Sequence, residues 1–417
     1  MPPPFGDAAS NAELLPSDLR QAVEKLSQLD DPVAFWNSQL VKLEQCIANF
    51  QVEEASLQSK VHPQVASVAQ KFPSLAFQSL LDEYGHDDSS VADLLKGSNL
   101  IGRMGGRLSW SVNREKDESI SEEELLRIGT AEQQSTWQSI RPSKDDAALL
   151  HEAEADRCKG RMLGPFFDLD EVAQALGSPR FVVQRRFPVE QEDKTRPCDD
   201  YRSSRTNEAT FMSRRLRLST LDTFFCLCIY VSQLFPHSQL KFFKRDHKSA
   251  YRQLCLAWEA CKYAVVAFWD PIRCCRVAYI HLVLPFGPSA SVCIYNRVSQ
   301  ALSFLCRAMF YLPCDSFFDD FWGVLPDHLA VPAFEVFRKI NVLLGFEINI
   351  PKDVFPSSEG PILGHIANIG GKPFLAKNKP ERRQKILRMI LQILREHRCS
   401  PTTAGCLAGK AGHFATA

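Results

Sequence analysis

The stretch Phe317-Phe318-Asp319-Asp320-Phe321-Trp322 constrains this chain more than any other. Two adjacent carboxylates stand inside apolar sequence, with Phe310–Leu312 and Phe317-Phe318 before them and Phe321–Leu325 after. Buried together and unpaired, such charges lose hydration and repel one another. The pattern predicts a β-hairpin with both acids at its tight turn, where they reach solvent while the aromatic flanks are buried. An Asp-Asp turn by itself needs no function, but a third acid changes its meaning. Leu240–Asp246 reads as a strand ending in a carboxylate, followed by a helix start at Ser249-Ala250-Tyr251. A strand-end acid beside a two-acid hairpin brings three carboxylates to one point, which raises their pKa values unless cations intervene. A pair of Mg²⁺ ions about 3.5–4 Å apart would remove that penalty, activate a 3′-hydroxyl and stabilise a leaving pyrophosphate in an in-line displacement.

The rest of the chain divides by composition. Residues 1–160 carry 15 Lys+Arg against 26 Asp+Glu, a net of −11, and residues 161–417 carry 34 against 23, a net of +11. The basic segment suits a polyanionic partner, because neutralising phosphates releases condensed counterions; it equally suits docking of the acidic half, and charge alone leaves both open. The first dozen residues, with three consecutive prolines, read as disordered. From Pro16 to about Leu81 apolar residues recur at helical spacing (Leu19, Val23, Leu26, Leu29, then Leu40, Leu43, Ile47, Phe50), with Ser17 and Asp18 as N-cap candidates. Gly97–Trp110 interrupts this pattern, and the acidic stretch to Lys159 predicts exposed helices with a loop near Pro142. No catalytic motif occurs in residues 1–160, whose expected task is structural or the binding of a protein partner.

Beyond Gly164-Pro165 the character changes. Val182-Val183, Leu240–Phe243, Tyr263–Phe268, Val277–Leu284, Phe317–Leu325 and Ile362–Ile366 read as strands, and Thr220–Leu234, Ser249–Leu256, Ser289–Phe310 and Val331–Leu344 as helices. Their mixed order predicts an α+β fold. Pro380–His397 is a basic amphipathic helix with Ile386, Leu387, Ile390, Leu391 and Leu394 on one face. The expected divisions are therefore 1–160, 161–370 and 371–417, the last reading as a truncated element. With 45% hydrophobic residues, the 417-residue chain is neither collagen-like nor wholly disordered. No secretory signal is visible, and the longest apolar stretch, Phe224–Phe235, is broken by Ser232 and Gln233 and too short to span a bilayer. An intracellular protein, cytoplasmic or nuclear and without a membrane partner, is expected, its 14 cysteines mostly buried and reduced. His397, Cys399, Cys406 and His413 lack the compact spacing of a structural zinc site, and Gly-rich GRMGGR lacks the Lys-Ser/Thr of a phosphate loop.

Six motifs in order resemble the reverse transcriptases of retroelements, over roughly Gly164 to Ile369. Lys194-Thr195-Arg196-Pro197-Cys198-Asp199-Asp200 with Asn207-Glu208-Ala209-Thr210 resembles the fingers motif, and Asp246 with Ala250-Tyr251-Arg252-Gln253 the first palm motif. Leu284-Pro285-Phe286-Gly287-Pro288-Ser289 resembles the loop and helix that hold nucleotide and template. Phe317-Phe318-Asp319-Asp320 is similar to the aromatic-x-Asp-Asp hairpin. Leu344-Gly345-Phe346-Glu347-Ile348-Asn349 with Lys352 resembles the fourth motif, and Ile362-Leu363-Gly364-His365-Ile366 the turn that holds the primer end. The wording leans towards retroelements of the tyrosine-recombinase group. The resemblance implies a right-hand polymerase fold of palm and fingers, with a helical N-terminal extension and a partial thumb, adding deoxynucleotides to a primer 3′-end. Its partners would be an RNA or DNA template with primer and deoxynucleoside triphosphates.

It also implies roles. Asp246, Asp319 and Asp320 would hold two Mg²⁺ ions, with Mn²⁺ able to substitute and the His247 backbone carbonyl as an extra ligand. Lys194 and Arg196 would neutralise the triphosphate, unless Arg196 pairs with Asp199 or Asp200. Tyr251 would lie under the sugar and collide with a ribose 2′-OH, Phe286-Gly287 would let backbone approach the nucleotide, and Lys352 would protonate the leaving pyrophosphate. Three features depart from the family: Phe317 replaces the usual Tyr, Arg245 precedes Asp246 where an apolar residue is expected, and His247 follows it. A guanidinium beside the acids would compete with the metals, which raises an alternative: a decayed or incomplete polymerase-like domain that only binds nucleic acid.

Overall fold

Helical periodicity at the start of the chain becomes a stack of short helices. The computed structural model describes residues 15–113, 119–191 and 194–415. Helix α1 (Ser17–Ser27) buries Leu19, Val23 and Leu26, and α2 (Pro32–Asn49) buries Trp36, Leu40 and Leu43. Asp31 caps α2 by accepting from the Ala34 amide at 2.9 Å. Ser17 and Asp18, expected as caps, lie inside the first turn of α1 instead, which follows Pro16 without a side-chain cap. In the glycine-containing break, Gly102–Met104 pairs in parallel with Thr210–Met212, so the chain returns to its own later half. Helices α3 (Glu122–Ser139) and α4 (Asp146–Cys158) are exposed on one face only; Leu125, Leu126 and Trp137, and Leu149, Leu150 and Ala153, are buried.

Strands β1 (Met162–Phe166), β2 (Val183–Gln191) and β3 (Lys194–Asp199) precede α5 (Leu221–Leu234) and β4 (Leu240–Asp246). Then come β5 (Val265–Asp270), β6 (Cys275–His281), α6 (Ser289–Phe310), the hairpin β7 (Cys314–Phe317) and β8 (Asp320–Pro326), α7 (Asp327–Leu343) and β9 (Val354–Ser357). A five-stranded sheet has the order β1-β6-β5-β2-β3, with β2 and β5 parallel. A four-stranded antiparallel sheet has the order β7-β8-β4-β9. The alternation of β-strand side chains gives this second sheet two apolar faces. Phe242, Trp322 and Val324 share a cluster with Phe224 of α5 and Leu19 of α1, whereas Phe243, Phe321 and Leu325 join Phe334 and Phe337 of α7.

Helix α6 matches its expected span, and α5 starts at Leu221 behind a Thr220–Thr223 capping box. Ser249–Leu256 is not a helix: only Ala250–Gln253 makes a 3₁₀ turn, because Leu254 and Leu256 exchange backbone bonds with Leu284 and Leu282. Ile362–Ile366 is not one strand but the turn between β10 (Glu359–Ile362) and β11 (His365–Asn368); Leu363 and Gly364 both have positive φ, as a two-residue hairpin loop requires. Strand β12 (Leu375–Asn378), α8 (Pro380–Glu396) and α9 (Pro401–Ala415) follow. On α8 Ile386 is buried, whereas Leu387, Ile390, Leu391 and Leu394 are exposed. The largest apolar cluster takes residues from both sides of residue 160, Leu26 to Ile140 and Val172 to Phe346, so the change in composition there is not a break in packing. All 14 cysteines are unbonded thiols. Among the described residues no helix is long and apolar enough to cross a membrane.

Candidate active site

Strand register builds the site. Asp320 pairs directly with Asp246, Phe321 with Arg245 and Trp322 with Lys244. Residues opposite one another in an antiparallel pair project from the same face, so Asp246, Asp320 and Lys244 share one face and Arg245 takes the other. Phe317 pairs with Asp320, which leaves Phe318 and Asp319 as a two-residue loop. Only one of the two adjacent acids is therefore in the turn; Asp320 is the first residue of β8. Phe318 has φ +53°, a left-handed conformation that is strained for a bulky side chain. The Asp319 carbonyl accepts from the His247 amide at 3.0 Å, tying the turn to the end of β4.

Electrostatics at the three acids is unbalanced. Burial, then the neighbouring Asp246, pushes the Asp319 carboxyl above its ordinary range. Burial also raises Asp320, and proximity to Asp246 adds to it, against the opposing bond from Lys244. Two ammonium groups answer the charge: Lys352 Nζ lies 3.1 and 3.2 Å from the oxygens of Asp246, and Lys244 Nζ lies 2.9 Å from Asp320. Asn349 donates to Asp246 from its side chain at 2.9 Å and from its backbone at 2.7 Å. Among the described residues no three His, Cys, Asp or Glu side chains are grouped closely enough to hold a metal ion. The donor set of hard carboxylate oxygens nevertheless suits Mg²⁺, and the raised carboxyls mark negative charge that the two lysines do not fully offset.

Arg245 does not compete at this site. Its guanidinium points to the opposite face of the sheet, stacks over Phe334 at 3.5 Å, and pairs with Asp353 at 2.8 Å and Glu335 at 3.5 Å. The His247 ring is likewise turned into the core, 2% exposed. Its Nε2 lies 2.7 Å from Asn341 Oδ1 and its Nδ1 lies 2.8 Å from the Tyr295 hydroxyl. Burial depresses its pKa to about 4, so the ring is neutral. The His247 carbonyl accepts from the Ala250 amide at 3.4 Å.

Tyr251 stands beside the acids, its phenol raised to about 12 by burial and by Asp319. Its ring lies between Phe286 and Tyr295, at centroid separations of 5.2 and 5.1 Å. Gly287 has φ +119°, and a Cβ there would meet the Asp199 carbonyl and the Tyr201 ring at 2.8 Å. The glycine is thus required by packing inside the protein, whatever approaches from outside. Asn207 joins the same corner, donating to the Gly287 carbonyl at 3.2 Å and accepting from the Ser289 amide at 2.9 Å. Arg196 is exposed on β3, in the other sheet. Asp199 is bonded to Arg186 at 2.7 Å and to His281 at 2.9 Å, and Asp200 accepts from the Ser203 amide, so neither pairs with Arg196. Of Lys194 only the backbone, at the start of β3, belongs to what is described.

Lys244, Asn349, Tyr295 and Asn341 were not among the expected site residues. Lys244 had a signal, since a residue two before Asp246 on a strand shares its face. Asn349 belongs to the fourth motif beside Lys352, whereas Tyr295 and Asn341 come from segments distant in sequence.

No protein-family model matches the chain, and no curated protein does. Among solved structures it is similar to the foamy viral protease-reverse transcriptase. For the dRH form in complex with double-stranded DNA the identity is 13% and the TM-score 0.48, over 86% of this chain and 51% of that one. For the complex with RNA/DNA hybrid the values are 14% and 0.44, over 86% and 39%. For a further complex with double-stranded DNA they are 13% and 0.43, over 87% and 62%. The chain spans about half the length of the first of these.

Proposed function

We propose that this chain is an RNA-directed DNA polymerase of retroelement type, with palm and fingers built on the two main sheets and the beginning of a thumb at α8. The observation that carries the reading is the register that sets Asp320 opposite Asp246, with Asp319 in the adjoining turn and Tyr251 at its side. Asp246, Asp319 and Asp320 would hold two Mg²⁺ ions, which would supply charge stabilisation for an attacking 3′-hydroxyl and a leaving pyrophosphate. Lys352, already on Asp246, is placed to swing towards that pyrophosphate and give up a proton. Tyr251 walls the site on the sugar side, braced by Phe286. Arg196, exposed and free of Asp199 and Asp200, is available to triphosphate oxygens. The motif wording leans towards retroelements of the tyrosine-recombinase group.

A second reading is favoured by one observation: Lys352 and Lys244 sit on two of the three acids. If they hold those places against metal, the chain binds nucleic acid without catalysis. Primer extension on poly(rA)/oligo(dT) with dTTP and Mg²⁺ decides between the two. The polymerase reading expects extension by the parent and a drop of at least ~10³-fold in the Asp319→Asn/Asp320→Asn variant. Duplex binding by a folded parent that extends no primer at any Mg²⁺ or Mn²⁺ concentration supports the second.

A further inference from the structure

His247 and Tyr295 are a polar pair where apolar side chains would fill the space. Tyr295 is 1% exposed, on the face of α6 that meets the end of β4. Burying a hydroxyl and an imidazole is tolerated only when both find partners, and here the partners are fixed in direction. Asn341 donates its amide N–H to the Phe337 carbonyl at 2.8 Å, which leaves Oδ1 facing His247 as an acceptor. His247 must therefore carry its proton on Nε2, and its Nδ1 accepts from the Tyr295 hydroxyl. Phe346 stacks on the imidazole at 5.2 Å with an interplanar angle of 14°, so the ring is also held in its plane. The chain of constraint runs from α7 through Asn341 and His247 to Tyr295, and from there to the ring of Tyr251 at 5.1 Å.

We infer that His247 and Tyr295 are positioning residues for sugar discrimination, setting the floor on which the Tyr251 ring rests; this deepens the polymerase reading and rests on it. Neither touches the reacting groups. A ring used as a steric wall is effective only if it does not yield, since a shift of well under an ångström admits a hydroxyl. A hydrogen-bonded floor resists sliding in a way that an apolar one does not.

The test compares the parent with His247→Leu, Tyr295→Phe and the double variant, measuring kcat/KM for dTTP and for UTP on poly(rA)/oligo(dT), with thermal melting alongside. Each single variant is expected to lower the dTTP-over-UTP preference by roughly three- to thirtyfold. The change should lie in the ratio of the two kcat/KM values, with that for UTP raised relative to that for dTTP. In the double variant the Tyr295 hydroxyl that His247→Leu strands is gone, so melting rises above that single variant although Asn341 Oδ1 still lacks its donor, while discrimination stays low. That split separates positioning from mere support of the fold. Unchanged discrimination in folded variants, or discrimination that recovers together with melting, overturns the assignment alone. Absence of extension by the parent overturns the polymerase reading and the assignment with it.

Discussion

Two groups of buried and half-buried acids in this protein face opposite circumstances. Where the N-terminal helices meet α6, Asp18 lies 2.8 Å from Arg307, and Asp88 takes two bonds from Arg297 at 2.7 and 2.8 Å. Burial alone would raise both acids, but the guanidinium groups outweigh it and hold both carboxyls below the ordinary range. At the β4–β8 site the same burial is not outweighed, and Asp319 and Asp320 are raised. An acid matched by a planar, bidentate cation belongs to the architecture. Acids in excess of their cations keep a negative charge that the protein does not itself balance. Part of the opposite charge of the two halves of the chain is paired off in this way, with Glu122–Lys262 and Glu123–Arg180 adding to the first group. The basic half is therefore not all available to a polyanion.

The comparison breaks if matched and surplus acids respond alike to mutation. Asp88→Ala should be the most damaging to stability, by about 3–5 kcal/mol, because it strands Arg297 in the interior; urea unfolding measures it. Asp319→Asn should do the reverse in metal-free buffer, stabilising the fold at pH 7. The pH dependence carries opposite signs. Asp319 binds its proton more tightly folded than unfolded, so its contribution worsens as pH rises from 3.8 through its raised pKa, and the gain of Asp319→Asn should vanish below that window. Asp88 contributes stability above 3.8 that is lost as pH falls through its depressed pKa. Equal slopes for the two acids in pH-dependent melting would sink the distinction. The smallest effect is expected at Lys244→Met, which removes a partly exposed ammonium from Asp320: the Mg²⁺ concentration for half-maximal extension should fall roughly two- to fivefold. An unchanged or higher midpoint would mean that Lys244 supports the site instead of occupying it.

Legibility in the sequence followed the range of the interactions. Helix α6 and the start of α5 were readable because periodicity and capping act within a few residues. The hairpin was readable from its apolar flanks, but its loop lay one residue earlier than expected, since the register of β8 is decided by pairing with β4 and not by the acids. Ser249–Leu256 has helical composition, yet long-range pairing with residues 282–284 overrides it beyond Gln253. Arg245 looked like damage because its neighbour in sequence is Asp246. Alternation along a strand places it on the other face, where Asp353, over a hundred residues away, receives it.

The sequence by itself determined which chemistry is present: three acids on strand and turn, an aromatic residue five after the first, and a compensating charge asymmetry between the halves. These are properties of residue type and local spacing, which the chain carries wherever it goes. Only the tertiary structure decided which charges are spent on one another. Pairing depends on distances of a few ångströms between segments hundreds of residues apart, such as Asp18 with Arg307, and nothing in the sequence around Asp18 names that partner.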